Sequence, residues 1–376
     1  MLYVSDLIDA AEKETGEKLH EARAALYRGQ CNCAYWHGLF GGLYLSHLRH
    51  ALYENLLEAE TIVDHKVHGT KPYVNLRTCD IDHDRIDEAM ITTPDIGVTI
   101  SPGAGGAITE LSYRPARFNL QNTLARRFEA YHRPAEDNQD ISKGNNIPSI
   151  HEIGKDIRGM GQFLVYDRHP RYTFLDHILP ENVNWADLVF NRHEEICDFG
   201  GKRYKMTSHQ CRDNNAHISL ECDACFAHGK NLKIKKEYRV VTPNTLETSF
   251  TLERLSGDFP SILFATEMNL TLLAGHDPSR YYQWGNIQRG KMFMDSRETI
   301  NDAPELKMVD EAFGFAVSIK TEPQARWQFF PIETISQSEK GFDRLYQGSN
   351  IWMSWKPLWN KDNKAHFSVC IALESL

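Results

Sequence analysis

The sequence has no long apolar run and no cluster of basic residues. None of its 376 residues lies in an apolar stretch that approaches the ~18 residues of a membrane-spanning helix. Lys and Arg number 42 against 51 Asp and Glu, which gives a formal net charge of -9. A surface with this balance repels phosphate backbones and anionic lipid headgroups. We therefore expect neither a membrane nor a nucleic acid as a partner.

Cysteine is spread thinly, and the sequence start lacks a secretion leader. Eight cysteines are dispersed over the whole chain rather than framing a short segment, which is typical of reduced thiols. The first residues, MLYVSD, contain neither a charged region nor an apolar core of a signal peptide. Together these features predict a cytoplasmic protein.

Motifs that carry catalysis or bind nucleotides are also missing. The sequence has no G-x-S-x-G nucleophile elbow, no P-loop and no G-x-G-x-x-G that follows a strand. With 51 acidic residues, carboxylate pairs for glycosidic chemistry can be chosen in many ways, and none stands in a recognisable context. No cofactor is expected on these grounds.

What is present at the start is a helical pattern. Apolar residues recur at helical spacing over residues 3–27, with an interruption at Gly16, and again over residues 39–63. Polar residues with Gly and Pro follow at 64–72 and end the second helix. Two or three helices bury too little surface to fold alone. We assign residues 1–66 to a small α-helical segment that packs on the rest of the chain.

From residue 67 onward the pattern changes to short runs of alternating polarity. Such runs occur, with few helical windows between them, at 98–100, 107–113, 217–220, 232–241, 246–252, 267–273, 314–319 and 366–373. Their regular recurrence predicts a mainly β protein, with a large antiparallel β-sandwich over residues 67–376. Residues 134–148 are polar and without period, which predicts a loop.

The densest set of functional side chains lies at residues 28–42, RGQCNCAYWHGLFGG. Tyr35 and Trp36 offer flat aromatic faces, and Gln30, Asn32 and His37 offer directional hydrogen bonds. This combination suits a sugar ring, which has apolar C–H faces and a polar hydroxyl edge. The alternative is a helix–turn–helix in which the Trp is buried and the His is a satisfied core residue.

One acidic stretch has the spacing of calcium ligands. Asp80, Asp82 and Asp84 resemble the opening of a calcium loop, in which oxygen atoms converge on a hard cation. The EF-hand pattern also needs Gly at its sixth position and Glu at its twelfth, and these positions hold Arg85 and Ile91. A solvated acidic turn is therefore the favoured interpretation, and calcium stays open.

One cysteine pair has the spacing of zinc ligands. Cys222 and Cys225 are separated by two residues, and His228 follows. Zinc needs four ligands that converge tetrahedrally, and no second C-x-x-C is present at a fixed spacing. Small apolar thiols packed in the sandwich are the alternative, so no metal is assigned.

Residues 30–60 resemble the fifth conserved region of glycoside hydrolase family 57, in its 4-α-glucanotransferase and α-amylase branch. The branch reads QCNDAYWHGLFGG, YLPHLR and ENLLEAE; this chain reads QCNCAYWHGLFGG at 30–42, YLSHLR at 44–49 and ENLLEAE at 54–60. YRPARFNLQNTLARR at 113–127, RHPRYTFLDH at 168–177 and EMNLTLLAG at 267–275 are similar to later parts of the same branch. The resemblance covers essentially the whole chain.

The resemblance implies a fold and places the chemistry elsewhere. In the family a β-sandwich of the galactose-mutarotase-like type follows this region. An incomplete β/α barrel ahead of it supplies the nucleophilic Glu and the acid/base Asp of a retaining mechanism. Neither matches a position in this chain, and Met1 matches the middle of a family helix. We therefore expect a truncated product, an excised C-terminal half or a free-standing descendant, and in each case a chain that is non-catalytic alone. Cys33 replaces an Asp near the family's catalytic centre, and a neutral thiol cannot polarise hydroxyls as a carboxylate does.

The same resemblance implies sugar recognition at the start of the chain. Trp36 would stack on a glucosyl ring, and the surrounding side chains would contact its hydroxyls; the substrate-binding residues expected are Gln30, Asn32, Cys33, Tyr35, Trp36 and His37. The expected ligand is an α-glucan or malto-oligosaccharide, and a separate catalytic barrel chain is an expected partner. The exposed helical face also predicts a homodimer.

Two other functions remain open. Mutarotases of similar fold use a His and a carboxylate as acid and base. His169, His177 and Glu267 are candidates for those roles, although the sequence alone does not place them face to face. The last alternative is a structural interaction module whose glucan site is vestigial.

Overall fold

The computed structural model describes residues 1–37, 42–69, 71–133, 160–212, 214–226, 230–256, 261–285, 292–301, 303–338 and 341–376. The predicted loop at 134–148 lies outside these residues. Of the helices described, none combines the length and apolar character needed to cross a membrane.

Three helices form the start of the chain: α1 Leu2–Thr15, α2 His20–Gly29 and α3 Ser46–His68. Gly16 ends α1 with a φ of 71°, a left-handed conformation that glycine adopts without steric cost. Helices α2 and α3 pack closely, since a Cβ at Gly29 would lie 2.8 Å from the Leu56 side chain. Their apolar faces form one cluster of Val4, Leu7, Ile8, Ala11, Leu19, Ala22, Ala25, Leu26, Leu56, Ala59 and Val63.

The rest of the described chain is mostly strand. The strands are β1 Asn75–Cys79, β2 Glu88–Thr92, β3 Ile96–Ser101, β4 Ala107–Tyr113, β5 Phe118–Asn119, β6 Leu175–Pro180, β7 Cys197–Asp198, β8 Lys205–Arg212, β9 Asn215–Phe226, β10 Lys230–Thr242, β11 Thr245–Ser256, β12 Ile262–Leu270, β13 Arg280–Trp284, β14 Met292–Phe293, β15 Glu298–Ile300, β16 Glu305–Asp310, β17 Phe315–Glu322, β18 Arg326–Ser338, β19 Gly341–Trp355 and β20 Lys364–Ser375. One short helix, α4 Ala186–Val189, lies between β6 and β7.

These strands form three antiparallel sheets. A five-stranded sheet has the order β1-β2-β3-β4-β5, a nine-stranded sheet the order β14-β13-β16-β17-β20-β11-β10-β9-β8, and a six-stranded sheet the order β15-β18-β19-β12-β6-β7. All of the described pairings are antiparallel. Many successive strands, such as β8 to β11, pair as hairpins, which antiparallel sheets allow with short turns, whereas β12 pairs with β6 and β20 with β11 and β17 over long separations.

One apolar core joins the three sheets. Phe264 of the six-stranded sheet lies 5.5 Å from Phe250 and 5.1 Å from Phe367 of the nine-stranded sheet, between ring centroids. Phe118 of the five-stranded sheet lies 5.2 Å from Phe315 in the same way. Two sheets that face each other over a shared core make a β-sandwich. The predicted fold class, a mainly β antiparallel sandwich preceded by helices, is confirmed.

A buried ion pair crosses this core. The Lys236 ammonium, fully buried on β10, lies 2.9 Å from an oxygen of Asp176 on β6. The ammonium also donates to the carbonyl oxygens of Gly105 at 2.8 Å and Phe174 at 2.5 Å, and the Tyr204 hydroxyl donates to Asp176 at 2.6 Å. Burial lowers the pKa of Lys236 and raises that of Asp176. The pair fixes the position of β6 relative to the nine-stranded sheet.

The other face of the six-stranded sheet is also covered. Helix α4 and the chain around it pack on this face and bury a second cluster, formed by Leu179, Val183, Leu188, Ala265, Phe330 and Trp352. Alternate residues of β6, β12 and β19 point toward this layer. Polar side chains at those positions are therefore withdrawn from solvent.

The helices dock on the five-stranded sheet through polar contacts. The Arg114 guanidinium donates to Asp64 of α3 at 2.6 Å, and the Tyr73 hydroxyl donates to the same carboxylate at 3.0 Å. Arg49 of α3 donates to the Asn122 side chain at 3.0 Å. Helix α3 is thereby held along the sheet over much of its length.

The structure confirms the helix break at Gly16 and corrects the second helix. That helix begins at Ser46 rather than at 39, because Gly42–Tyr44 forms a 3-10 turn and Leu45 is extended. It continues past 63 to His68, where Gly69 ends it with a φ of 66°. The eight predicted runs fall on β3, β4, β9, β10, β11, β12, β17 and β20, but the run at 267–273 extends past the end of β12 at Leu270. The division of the chain at residues 66 and 67 stays a prediction.

Candidate functional site

The candidate sugar-binding residues lie on a short surface loop at residues 30–37, which we call the 30–37 loop. Helix α2 ends at Gly29, where the close contact with Leu56 leaves no room for a side chain. A 3-10 turn, Asn32–Tyr35, follows. The Tyr35 hydroxyl then donates to the Gly29 carbonyl at 2.7 Å and closes the loop on the helix end.

Gly42 holds the other side of this loop. A Cβ at Gly42 would lie 2.3 Å from the Cys33 carbonyl oxygen and 2.5 Å from that of Trp36, closer than side chains approach backbone. The Leu43 amide donates to the Trp36 carbonyl at 3.1 Å. The chain can fold back on itself here only because residue 42 has no side chain.

The loop presents most of its candidate residues to solvent. Trp36 is 54% exposed and Tyr35 is 44% exposed. Gln30, Asn32 and Cys33 are also exposed, so the structure brings five of the six predicted residues together on one surface. A large exposed aromatic side chain beside polar groups is an arrangement suited to stacking and hydrogen bonding.

His37 points to the interior side of the loop. It is half-buried, and its ring lies 5.2 Å from those of Tyr44 and Tyr131. Its Nδ1 atom is buried without a hydrogen-bond partner. Behind it the Tyr44 hydroxyl donates to Glu129, and burial raises the pKa of Tyr44 above its ordinary value. His37 thus connects the exposed residues to an aromatic layer below them.

A cavity of about 620 Å³ lies beside the loop, between the helices and the five-stranded sheet. Tyr35, Tyr53 and Tyr172 line it together with two acids, Glu60 and Glu110. Burial and the neighbouring Glu110 raise the pKa of Glu60 to about 8, and burial raises the pKa of Glu110. Sequence reasoning missed this acid pair, because Glu60 lies on α3 and Glu110 on β4, and no local pattern in the sequence relates the two positions.

A second concavity, of about 790 Å³, lies on the outer face of the nine-stranded sheet. It is lined mostly by polar side chains of β8 to β11 and β20, and its described lining residues include no Phe, Tyr or Trp. Because it lacks a flat aromatic face, it is less suited to a sugar ring than the 30–37 loop. Representative lining residues are Gln210, Arg212, His217, Glu237, Arg239 and Glu247.

The mutarotase candidates divide into two places. His177 on β6 and Glu267 on β12 do meet, with 3.9 Å between the His177 Nε2 and a carboxylate oxygen. Both are buried, and the Trp352 ring lies 4.3 Å from that of His177. His169 instead pairs with Asp198 at 2.5 Å. The pair that meets therefore lies under the layer that covers the six-stranded sheet.

Sequence reasoning missed the residues that surround His177. Glu195 lies 3.2 Å from the His177 Nδ1 and 2.8 Å from the His193 Nε2. Burial alone would lower the pKa of His177, but the Glu195 and Glu267 carboxylates raise it above its ordinary value. Both histidines hold the pKa of Glu195 below its usual range against the effect of burial. The adjacent His193-Glu194-Glu195 is the only sequence signal of this group.

Comparison with known families decides the relationship of the chain. A model of the C-terminal domain of α-amylase/4-α-glucanotransferase matches residues 80–369. The chain belongs to this family. A model of the middle domain of the same enzymes matches residues 1–63. The α-amylase/4-α-glucanotransferase match therefore includes both the helices with the 30–37 loop and the sandwich.

Relatives within the family are about twice as long as this chain. It is 30% identical to α-amylase 1 of Dictyoglomus thermophilum over 356 residues, which are 93% of this chain and 48% of the relative. It is 31% identical to a 4-α-glucanotransferase of Thermococcus kodakarensis over 330 residues, 87% of this chain and 44% of the relative. The chain thus spans about half the length of the curated relatives it matches.

Solved structures agree with the fold. The crystal structure of 4-α-glucanotransferase from Thermococcus litoralis matches all of this chain and 51% of its own, with a TM-score of 0.73 and 25% identity. A galactose mutarotase-like protein from Clostridium acetobutylicum matches 81% of this chain and 99% of its own, with a TM-score of 0.50 and 8% identity. The second likeness concerns the fold alone and supports the predicted sandwich type.

The acidic stretch after β1 forms a turn held by its own backbone. Asp80 accepts from the Asp84 amide at 3.0 Å, and Asp84 accepts from the Ile86 amide at 2.7 Å. Carboxylate oxygens of Asp80, Asp82 and Glu88 come within 4.8 Å of one another, whereas Asp84 is outside that group. These backbone contacts are typical of a solvated acidic turn, and calcium binding here stays a hypothesis.

The cysteine stretch lies on β9. Cys222 is buried in the sandwich core, and burial raises the pKa of its thiol to about 11. A thiol with a raised pKa is a poorer metal ligand, because metals bind the thiolate. His228 and the side chain of Cys225 lie outside the described part of the chain, so the zinc hypothesis is not tested here.

Proposed function

We propose that this chain is the C-terminal portion of an enzyme that acts on α-1,4-glucans, and that it recognises glucan through the 30–37 loop. The observation that carries the proposal is the exposure of Trp36 and Tyr35, at 54% and 44%, on a loop fixed by Gly42. Trp36 stacks on a glucosyl ring in this proposal. Gln30 and Asn32 bind hydroxyl groups from the same surface.

We assign no catalytic step to the 30–37 loop. A retaining glycosidase needs two carboxyl groups ~5 Å apart. The exposed side chains of the loop include none, because Cys33 is a thiol and Gln30 and Asn32 are amides. In this proposal the catalytic carboxyls belong to a separate barrel portion, in line with the greater length of the relatives. This chain alone is inactive and acts in the cytoplasm.

The helical segment, residues 1–66, is the proposed contact surface for that barrel. Exposed apolar side chains favour association. Five of the eleven large exposed hydrophobic side chains in the described chain lie within this segment: Met1, Leu2, Tyr27, Tyr35 and Trp36. Without a barrel the same surface supports a homodimer, which sedimentation of the isolated chain over a concentration series detects.

Titration calorimetry with maltoheptaose tests the proposed glucan recognition. The wild-type chain binds in this proposal, and Trp36→Ala weakens the binding. A Trp side chain presents roughly 250 Å², so 54% exposure leaves about 130 Å² for contact. Covering half of that at ~25 cal/mol/Å² contributes about 1.6 kcal/mol, or about a 15-fold change in Kd.

Tyr27→Ala is the matched control. Tyr27 is 61% exposed on α2 and lies outside the 30–37 loop. The control keeps the wild-type Kd if the loop is the binding surface. Absence of binding by the wild-type chain, or equal losses in both variants, contradicts the proposal.

A further inference from the structure

The buried group around His177 has the geometry of a metal site. His177 is on β6, and His193 and Glu195 are on the segment between α4 and β7. Strand β7 pairs with β6, where His177 lies opposite Asp198, and this pairing brings the segment beside His177. One ligand atom from each of the three side chains lies within 4.8 Å of the others. Tetrahedral zinc with bonds of about 2.0–2.1 Å holds its ligands about 3.3 Å apart. The measured separations, 3.2 Å and 2.8 Å, are close to that value.

Glu267 orients His177 for such a role. The carboxylate of Glu267 accepts from Arg171 at 2.9 Å and from Asn350 at 2.5 Å through one oxygen. Its other oxygen faces the His177 Nε2 at 3.9 Å. When a metal ion is bound at Nδ1, the ring proton of His177 lies on Nε2, where the nearby Glu267 carboxylate favours it. The Nδ1 lone pair of His177 then points at Glu195.

The lone pairs of two facing atoms repel unless a proton or a metal ion lies between them. The Nδ1 of His177 and the Oε1 of Glu195 are in that relation at 3.2 Å. Both His177 nitrogens and the Glu195 Oε2 are buried without a hydrogen-bond partner. Arg168 reaches the Glu195 Oε1 at 3.4 Å, which leaves Oε2 as the oxygen with no donor. Unsatisfied buried polar atoms are costly, and an ion held by the His177 Nδ1 and by both Glu195 oxygens would satisfy two of these three.

We propose that His177, His193 and Glu195 bind a divalent transition-metal ion of the zinc class. Two imidazoles and one carboxylate suit zinc with a water molecule in its fourth position. Calcium and magnesium prefer oxygen ligands throughout and are disfavoured. The Trp352 ring lies 4.3 Å from His177 and 5.4 Å from His193, which keeps the site dry on one side. The ion links the segment that precedes β7 to β6, and because it binds the folded chain it stabilises the folded state.

The test uses the untagged full chain, stripped with a chelator and titrated with zinc chloride in a calorimeter. The expected result is one ion per chain and a rise in melting temperature. Glu195→Gln and His193→Gln each weaken binding by more than about 100-fold, and Glu267→Gln weakens it by ~10–100-fold. His217→Gln keeps wild-type binding, because His217 pairs with Glu237 at the surface of β9, 3.3 Å away.

Absence of zinc binding by the wild-type chain overturns the proposal, as does unchanged binding in Glu195→Gln and His193→Gln. In either case a proton rather than an ion lies between His177 and Glu195. Cobalt titration of the wild-type chain gives a test that does not depend on a variant folding. Tetrahedral cobalt bands without a thiolate charge-transfer band support the site. A thiolate band or no bands at all contradicts it.

Discussion

The replacement Lys236→Met tests how the sandwich is held together. Lys236 is fully buried and paired with Asp176, which is also fully buried. Met keeps the unbranched shape of the side chain, one atom shorter, but removes the charge and the donors to the Gly105 and Phe174 carbonyls. Breaking a buried pair from one side leaves an uncompensated charge and costs about 3–5 kcal/mol. Whole domains are stable by only about 5–15 kcal/mol, so a large loss is expected.

Urea denaturation at pH 8, monitored by tryptophan fluorescence, measures this loss in the free energy of unfolding. The penalty becomes smaller at lower pH, because Asp176 has a raised pKa and takes up a proton once its partner is gone. Lys235→Met is the control: it lies next along β10, its side chain is 35% exposed, and its pair with Glu237 is at the surface. We expect the control to stay within about 0.5 kcal/mol of wild type. A Lys236→Met variant within about 1 kcal/mol of wild type at pH 8 would refute this reasoning.

Two further replacements test the site and the cavity beside it. Gly42→Ala drives a Cβ into the Cys33 and Trp36 carbonyls, so we expect it to displace the 30–37 loop, to abolish maltoheptaose binding and to lower the free energy of unfolding by about 1–3 kcal/mol. Gly97→Ala is the control, because its Cβ would have only an ordinary 3.7 Å contact, and it keeps binding. Calorimetry that finds both variants alike contradicts the role of Gly42. Glu60 has a pKa raised to about 8 in the folded chain, so the stability it contributes is complete below its unfolded pKa of ~4.5 and is lost as pH rises toward 8. Glu60→Gln removes that loss, so its melting temperature falls less than that of wild type between pH 5 and pH 8.5. The control Glu54→Gln, at an exposed position, has the same dependence of melting temperature on pH as wild type. If Glu60→Gln and wild type also have the same dependence, Glu60 does not destabilise the fold at high pH.

Much of the fold follows from local patterns in the sequence. Period-two alternation placed the long strands β10 and β20 correctly, because one face of each is buried in the sandwich. The second helix was placed seven residues too early, since 39–45 is apolar at helical spacing. At Gly42 the chain instead lies close to the backbone of Cys33. A local sequence pattern does not reveal a contact between residues nine positions apart.

The candidate site was only partly predictable for the same reason. Trp36 and the polar residues beside it are consecutive in sequence, so their common exposure follows from one short loop. The group of His177, Glu195 and Glu267 comes from three separate elements, and its members are brought together by strand pairing over long separations. Likewise the buried partners Lys236 and Asp176 are sixty residues apart. Such groups depend on sheet register, which the sequence pattern does not specify between distant strands.

The central claim is that glucan contacts the 30–37 loop. Hydrogen–deuterium exchange with and without maltoheptaose maps the contact along the whole chain. We predict slower exchange on binding for the amides of residues 28–37 and of the Gly42–Tyr44 turn, and unchanged exchange in β8 to β11. Slower exchange confined to the polar concavity of β8 to β11, or none anywhere at saturating maltoheptaose, would contradict the account.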